Sequence, residues 1–290
     1  MKLATFKKDG ITRVGAVIGS EIVDTLNIEE MPATMRAFLA AGKSAIDRLA
    51  ELIETNRNRL ALADVELTAP VPNPSKYLAI SLNYGEHIAE TGRDRSEYPS
   101  FFNKQVSCVI GPEAPIHRPR VSEKLDYEGE LACVIGRRCR HVPKQDALTV
   151  IGGFMVANDV SVRDWQIRSP TFTLGKSFDT HGPTGPWIVT PDEIADPHRL
   201  QVQTWVNDER RQNFNTAEMI FNCFEQIEYL STVMTLEPGD IISSGTGSGV
   251  GVKMKPRGYL KPGDRVRVEI EGIGTLNNPV IEEPADTVRL

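Results

Sequence analysis

The sequence predicts an α+β protein that is mostly β, with a small N-terminal α+β domain over residues 1–70 and a larger β-rich domain over 71–290. Three observations carry this. Short apolar runs rich in β-branched residues, closed by Gly and Pro, recur from residue 76 onward. Helical periodicity is confined to two regions, about 32–60 and 216–234. Just after the first of these, Leu67-Thr68-Ala69-Pro70-Val71-Pro72-Asn73-Pro74-Ser75 carries three prolines and reads as a linker.

Bulk properties narrow the function classes. A length of 290 residues suits one large domain or a large one with a small companion. A net charge of −6 argues against a nucleic-acid surface, which would need a basic stripe. No apolar run is long enough to span a membrane, and Met1–Gly10 lacks a signal-peptide core. The four cysteines (Cys108, Cys133, Cys139, Cys223) lack CxxC spacing, and two lie in apolar segments where reduced, buried thiols are usual. A cytoplasmic enzyme acting on a small molecule is the expectation.

Taken in order, Ile11–Asp24 alternates as a hairpin closed at Gly19-Ser20. From Pro32, the residues Met35, Phe38, Leu39, Ile46, Leu49, Leu52 and Ile53 keep a helical period that Gly42 splits in two. Lys76–Leu82 is a strand leading into Asn83-Tyr84-Gly85-Glu86-His87-Ile88-Ala89-Glu90. Residues 91–100 are polar and aperiodic, which predicts a mobile loop. Ile220, Phe221, Phe224, Ile227 and Leu230 predict a helix over about 216–234.

The chemistry concentrates around Leu125-Asp126-Tyr127-Glu128-Gly129-Glu130-Leu131, which runs into a buried strand ending at Gly136. Glu128 and Glu130 are two apart, and on a strand such residues share a face. Alone, the pair reads as an exposed edge, the common place for carboxylates. Phe154–Gln166 changes that reading. It begins as an apolar strand and offers Asp159 where the apolar character fails, followed by Arg163 and Gln166; Lys176 stands shortly after between small residues. Three carboxylates sharing a buried site need positive charge among them, and oxygen ligands alone point to Mg²⁺, Mn²⁺ or Ca²⁺. His87, just before a polar aperiodic stretch, reads by itself equally as a solvated loop histidine.

These pieces resemble the fumarylacetoacetate hydrolase family over everything after the proline linker. The resemblance is carried by Glu128-x-Glu130, Asn158-Asp159-Val160-Ser161-Val162-Arg163-Asp164-Trp165-Gln166, Gly175-Lys176-Ser177-Phe178-Asp179, Gly182–Trp187, and Glu237–Ile242 followed by Gly245–Gly251. It implies a mixed β-roll as the larger domain and a homodimer. Glu128, Glu130 and Asp159 would be ligands to Mg²⁺ or Mn²⁺, and Arg163, Gln166, Thr246 and Lys176 would face substrate. His87 with Glu90 would form a catalytic pair on a lid that becomes a short helix when closed. The implied activity is hydrolysis of a carbon–carbon bond in a β-diketo acid such as an acylpyruvate. The alternative is a lyase or isomerase working through the same enolate: oxaloacetate-type decarboxylation, sugar-acid dehydration or keto–enol isomerisation. Gly247 stands where the family usually has proline, which bears on the role of Thr246. His181 is placed either near the site or as a turn cap, and Trp165 and Trp187 in the core.

Overall fold

The apolar runs pair into two principal sheets in the computed structural model, which describes residues 1–55, 58–92 and 94–285. The larger sheet has 12 strands among the described residues. Its path runs Arg59–Ala61, Glu21–Asp24, Ile11–Ile18, Lys2–Lys8, Gly182–Val189, Ile151–Asn158, Gly129–Ile135, Ile241–Ser243, Tyr77–Ser81 and Ser100–Lys104. The second sheet has five strands, ordered Glu209–Asn215, Gln201–Val206, Arg265–Ile270, Gly274–Glu282 and Ile116–Arg118.

The strand Gly129–Ile135 shows why the central run is apolar without alternation: all seven of its residues are buried. Leu131, Cys133 and Ile135 point into the core shared with the second sheet, beside Phe154, Val156, Val202 and Val268. Ala132 and Val134 point the other way, onto Met35, Phe38, Leu39 and Leu49 of the N-terminal helices. A strand covered on both faces loses its polar half, which is the pattern read from the sequence.

The N-terminal hairpin and the pair of helices form as expected, but the helical stretch read to about residue 60 stops at Glu54, and Arg59–Ala61 is a strand paired with Glu21–Asp24. The hairpin turns at Gly19, whose φ of +59° favours glycine. The helices Met35–Ala41 and Lys43–Glu54 break at Gly42, with φ +60°. Lys2 and Leu3 pair with Val189 and Ile188, so the sheet continues across the division expected at residue 70. That division is one of composition; packing does not stop there.

Two elements differ from expectation. The helix expected over 216–234 is a 3-10 turn, Thr216–Glu218, followed by an α-helix that starts only at Cys223. The reason is capping: the Asn222 side chain accepts the N–H groups of Phe224 and Glu225, and Glu225 returns to the Asn222 N–H. The stretch expected as a loop, 91–100, opens on the last residue of the helix Gly85–Thr91, which Gly92 closes in the left-handed region (φ +68°), and meets a strand at Ser100; residues 94–99 lack helix or strand, and Arg93 lies outside the described residues. All four cysteines are free thiols. No described helix is long and apolar enough to cross a membrane.

Candidate active site

Antiparallel pairing of Gly129–Ile135 with Ile151–Asn158 puts Gly129 opposite Asn158, so the ends carrying Glu128, Glu130 and Asp159 meet. Each of the three offers a carboxylate oxygen, and these oxygens lie within 4.8 Å of one another. All three residues are buried. Asn158 sets the junction: its side-chain oxygen accepts the Glu128 N–H at 3.0 Å, and the Asp159 N–H donates to the Glu128 carbonyl at 2.9 Å.

Cations from three other elements hold this cluster. Lys176 Nζ lies 2.6 Å from both Glu128 Oε2 and Asp159 Oδ2, and Lys104 Nζ lies 2.6 Å from Asp159 Oδ1. Arg163 Nη1 lies 2.6 Å from Glu128 Oε1, with its Nε on Asp126 Oδ2 at 2.8 Å. Burial alone would raise the Glu128 carboxyl, but Lys176 and Arg163 outweigh it and hold it well below the usual carboxylate range. Glu130 goes the other way: burial, then Asp159 and Glu128, push it up to about 8. Ser243 and Lys176 pull it down by less, and the Gly245 N–H donates to its Oε2 at 2.9 Å. An all-oxygen set with one carboxylate short of positive charge fits a hard divalent cation, which would take the place of that proton.

A cavity of about 520 Å³ opens over the cluster and is lined by His87, Glu128, Glu130, Arg163, Gln166 and Lys176, among others. His87 Nδ1 is 2.7 Å from Glu90 Oε1 on the helix Gly85–Thr91, so the spacing of three does form the expected pair. Glu90 Oε2 also accepts the Gly249 N–H at 3.3 Å, and Glu86 takes the Ser248 hydroxyl at 3.1 Å. The helix therefore sits latched onto the loop 245–251. Gln166 Oε1 accepts from Arg163 Nη1 at 3.0 Å, and Arg163 Nη2 is buried without a protein acceptor. That leaves one guanidinium donor for a ligand.

A family profile described as "Fumarylacetoacetate (FAA) hydrolase C-terminal" matches residues 76–281, which include every residue placed above. The chain belongs to this family. A mitochondrial oxaloacetate tautomerase of Xenopus laevis is 40% identical over 273 residues, covering 91% of this chain and 86% of that protein. A fumarylacetoacetate hydrolase from Exiguobacterium antarcticum superposes with a TM-score of 0.85 at 35% identity, covering 98% of this chain and all of that one. A maleylpyruvate hydrolase from Sphingobium sp. SYK-6, solved with manganese(II) and pyruvate, gives 0.83 at 33% identity, covering 98% and 100%. The mostly β architecture is the family's fold.

Within the family frame, the loop 245–251 departs in a way the structure explains. A Cβ on Gly247 would lie 2.3 Å from the Phe214 ring, so nothing larger than glycine fits that contact. Phe214 in turn meets Tyr84 edge-on, 4.9 Å between centroids, at the start of the helix bearing His87. Thr246 lines the cavity, but its hydroxyl donates to the Gly129 carbonyl and accepts from Gln212, both at 2.8 Å. Its proton is thus committed to the scaffold. His181 is neither exposed nor on the cavity wall. It is fully buried, its Nε2–H donates to the His117 carbonyl at 2.8 Å, and burial drops its pKa to about 3. Trp165 and Trp187 are partly buried against the main core.

Two working residues escaped the sequence reading. Lys104 ends the strand Ser100–Lys104 and shares a face with buried Phe102; a lysine in register with a core position was the available signal. Asp126 stands in the same stretch as Glu128, with no spacing that marks it out. It is fully buried, and its carboxylate holds Arg163 together with the backbone N–H groups of Gly251 and Val252.

Proposed function

We propose that this chain catalyses divalent-metal-dependent proton transfer on a 2-oxo acid through its enolate, with keto–enol tautomerisation as the reaction. The observation that carries this is His87, backed by Glu90 at 2.7 Å, lining the same cavity as Glu128, Glu130 and Lys176. Glu128, Glu130 and Asp159 would hold Mg²⁺ or Mn²⁺, which when bound supplies Lewis-acid polarisation of a 2-oxo acid. Arg163, through its unpaired Nη2, and Gln166 orient the substrate carboxylate. His87 takes the proton from the carbon beside the ketone, with Glu90 holding the imidazole in the tautomer that leaves Nε2 as base. Lys176 places an ammonium beside the oxygen on which negative charge develops. Tautomerisation needs only these groups, and the likeness to oxaloacetate tautomerases supports it.

Carbon–carbon bond hydrolysis, which the sequence placed first, is the second reading. It is supported by the likeness to maleylpyruvate hydrolase, and would use His87 to activate water rather than to move a carbon-bound proton. The two separate in one experiment. Oxaloacetate and acetylpyruvate are incubated with the Mn²⁺-loaded enzyme in deuterated water and followed by NMR. Tautomerisation predicts deuterium entering the carbon beside the ketone without cleavage, lost by a hundredfold or more in His87→Ala. Stoichiometric pyruvate from acetylpyruvate moves the reading to hydrolysis. Neither signal from any 2-oxo acid removes both.

The homodimer and the cytoplasmic location also remain proposals, the latter beside a relative named as mitochondrial. A monomer mass by sedimentation would dispose of the dimer, and fractionation of the source cells tests the location.

A further inference from the structure

We infer that the outer part of the active-site cavity is a second anion subsite, built from Lys253, Arg257 and Lys124, that takes a distal carboxylate of an elongated 2-oxo acid. The inference rests on the reading above and adds to it the substrate's other end.

The chain as a whole is acidic, at −6, yet its cavity is lined by five cations and three carboxylates. Arg163 and Lys176 are spent on the carboxylate cluster. The remaining three are not. No carboxylate among the described residues lies within ion-pair distance of Lys124, Lys253 or Arg257, and among the described residues Lys253 Nζ donates to the Thr91 carbonyl at 3.3 Å. The third carboxylate of the lining, Asp164, accepts the Ser122 hydroxyl at 2.6 Å. Lys253 is half-buried and Lys124 and Arg257 are exposed; three cations lining one cavity without counter-charge repel one another, and an anionic ligand relieves that. Tyr259 beside them offers a phenolic donor.

The backbone argues that this is a built feature. Asp126, which holds Arg163, also accepts the N–H groups of Gly251 and Val252 at 2.8 Å each. Gly258 N–H returns to the Gly251 carbonyl at 2.9 Å, and Leu260 N–H bonds the Leu125 carbonyl at 2.8 Å, next to Lys124. One buried carboxylate therefore sets the head-group arginine and the segment bearing Lys253 and Arg257 at a fixed separation. A cavity of about 520 Å³ is in the range that encloses a drug-sized ligand, more than a three- or four-carbon acid fills. Lys253 also ties to the last turn of the helix bearing His87, so a ligand on Lys253 touches the latch of the catalytic pair.

The test uses a matched pair, 2-oxoadipate and 2-oxohexanoate, which share the 2-oxo acid head and differ in a terminal carboxylate against a methyl. Their affinities for the Mn²⁺-loaded protein are measured by calorimetry, and the ratio isolates the distal group. The parent is expected to prefer 2-oxoadipate. Arg257→Ala and Lys253→Ala should each cut the preference roughly threefold to tenfold, as partly exposed ion pairs do, and Arg257→Glu should reverse it. A preference unchanged in the double alanine variant and in Arg257→Glu overturns the subsite while leaving the head-group chemistry standing. Failure of both acids to bind the metal-loaded parent brings down the functional reading and this inference with it.

Discussion

Replacing Glu130 by Gln should stabilise the metal-free protein while weakening its hold on metal. In the fold, Glu130 is buried beside two other carboxylates and titrates at about 8 against an ordinary value of 4.5. A carboxyl whose pKa is raised on folding favours the fold fully below 4.5, and that contribution is lost as pH rises through 8. Each pH unit between these values costs about 1.4 kcal/mol, so the metal-free parent carries a penalty of about 3 kcal/mol at pH 7. Gln keeps an acceptor for the Gly245 N–H and brings no charge. Urea unfolding in EDTA should therefore find Glu130→Gln more stable than the parent by about that amount at pH 7, with the gap closing toward pH 4.5. Calorimetric titration with Mn²⁺ should show the variant at least about tenfold weaker, one anionic ligand having gone. A variant less stable than the parent in EDTA at pH 7, or one that binds Mn²⁺ equally well, refutes the reasoning.

Lys104→Met keeps the buried stem and removes the ammonium from Asp159, so it should cost about 3–5 kcal/mol in EDTA by denaturant unfolding; a loss below 1 kcal/mol would mean the pair is worth little. His181 falls to about 3 on burial from 6.5, a depressed pKa, so its contribution is complete above pH 6.5 and lost as pH drops toward 3. Between pH 7 and pH 5 the parent should lose about 2 kcal/mol more than His181→Gln, which retains a donor for the His117 carbonyl; parallel pH profiles would contradict this. Lys176→Ala should impair every 2-oxo acid reaction of the enzyme together, whereas His87→Ala should spare any reaction that needs only enolate stabilisation. An equal loss in His87→Ala of oxaloacetate decarboxylation, which needs no base on carbon, would place His87 in binding instead.

How much of this could be read from the chain varies with the physics of each residue. The carboxylate cluster was legible because a strand's period of two is rigid, and Asp159 marked where an apolar strand turned polar. The His87–Glu90 pair was legible through the family's lid, which puts residues three apart on one helical face. Long-range electrostatic partners were not. Nothing in the spacing of Lys104 or Asp126 announces that one meets Asp159 across 55 residues while the other anchors residue 251. Thr246 shows the converse, a residue whose type suits substrate binding but whose hydroxyl proton is used by the Gly129 carbonyl. The late start of the helix at Cys223 was in the sequence as Asn222 and Glu225, where a capping box outweighs the apolar period that runs past it.

Metal dependence on 2-oxo acids, the reading proposed for the carboxylate cluster, is decided by turnover across a panel holding oxaloacetate, acetylpyruvate and longer 2-oxo diacids. Each is assayed with protein stripped by EDTA and again after Mg²⁺ or Mn²⁺ is restored. The account predicts conversion of at least one acid by the reloaded protein and none by the stripped one, with Glu130→Gln remaining inactive at metal concentrations that restore the parent. Turnover that survives EDTA, or a panel that stays unconverted after metal is restored, would contradict it.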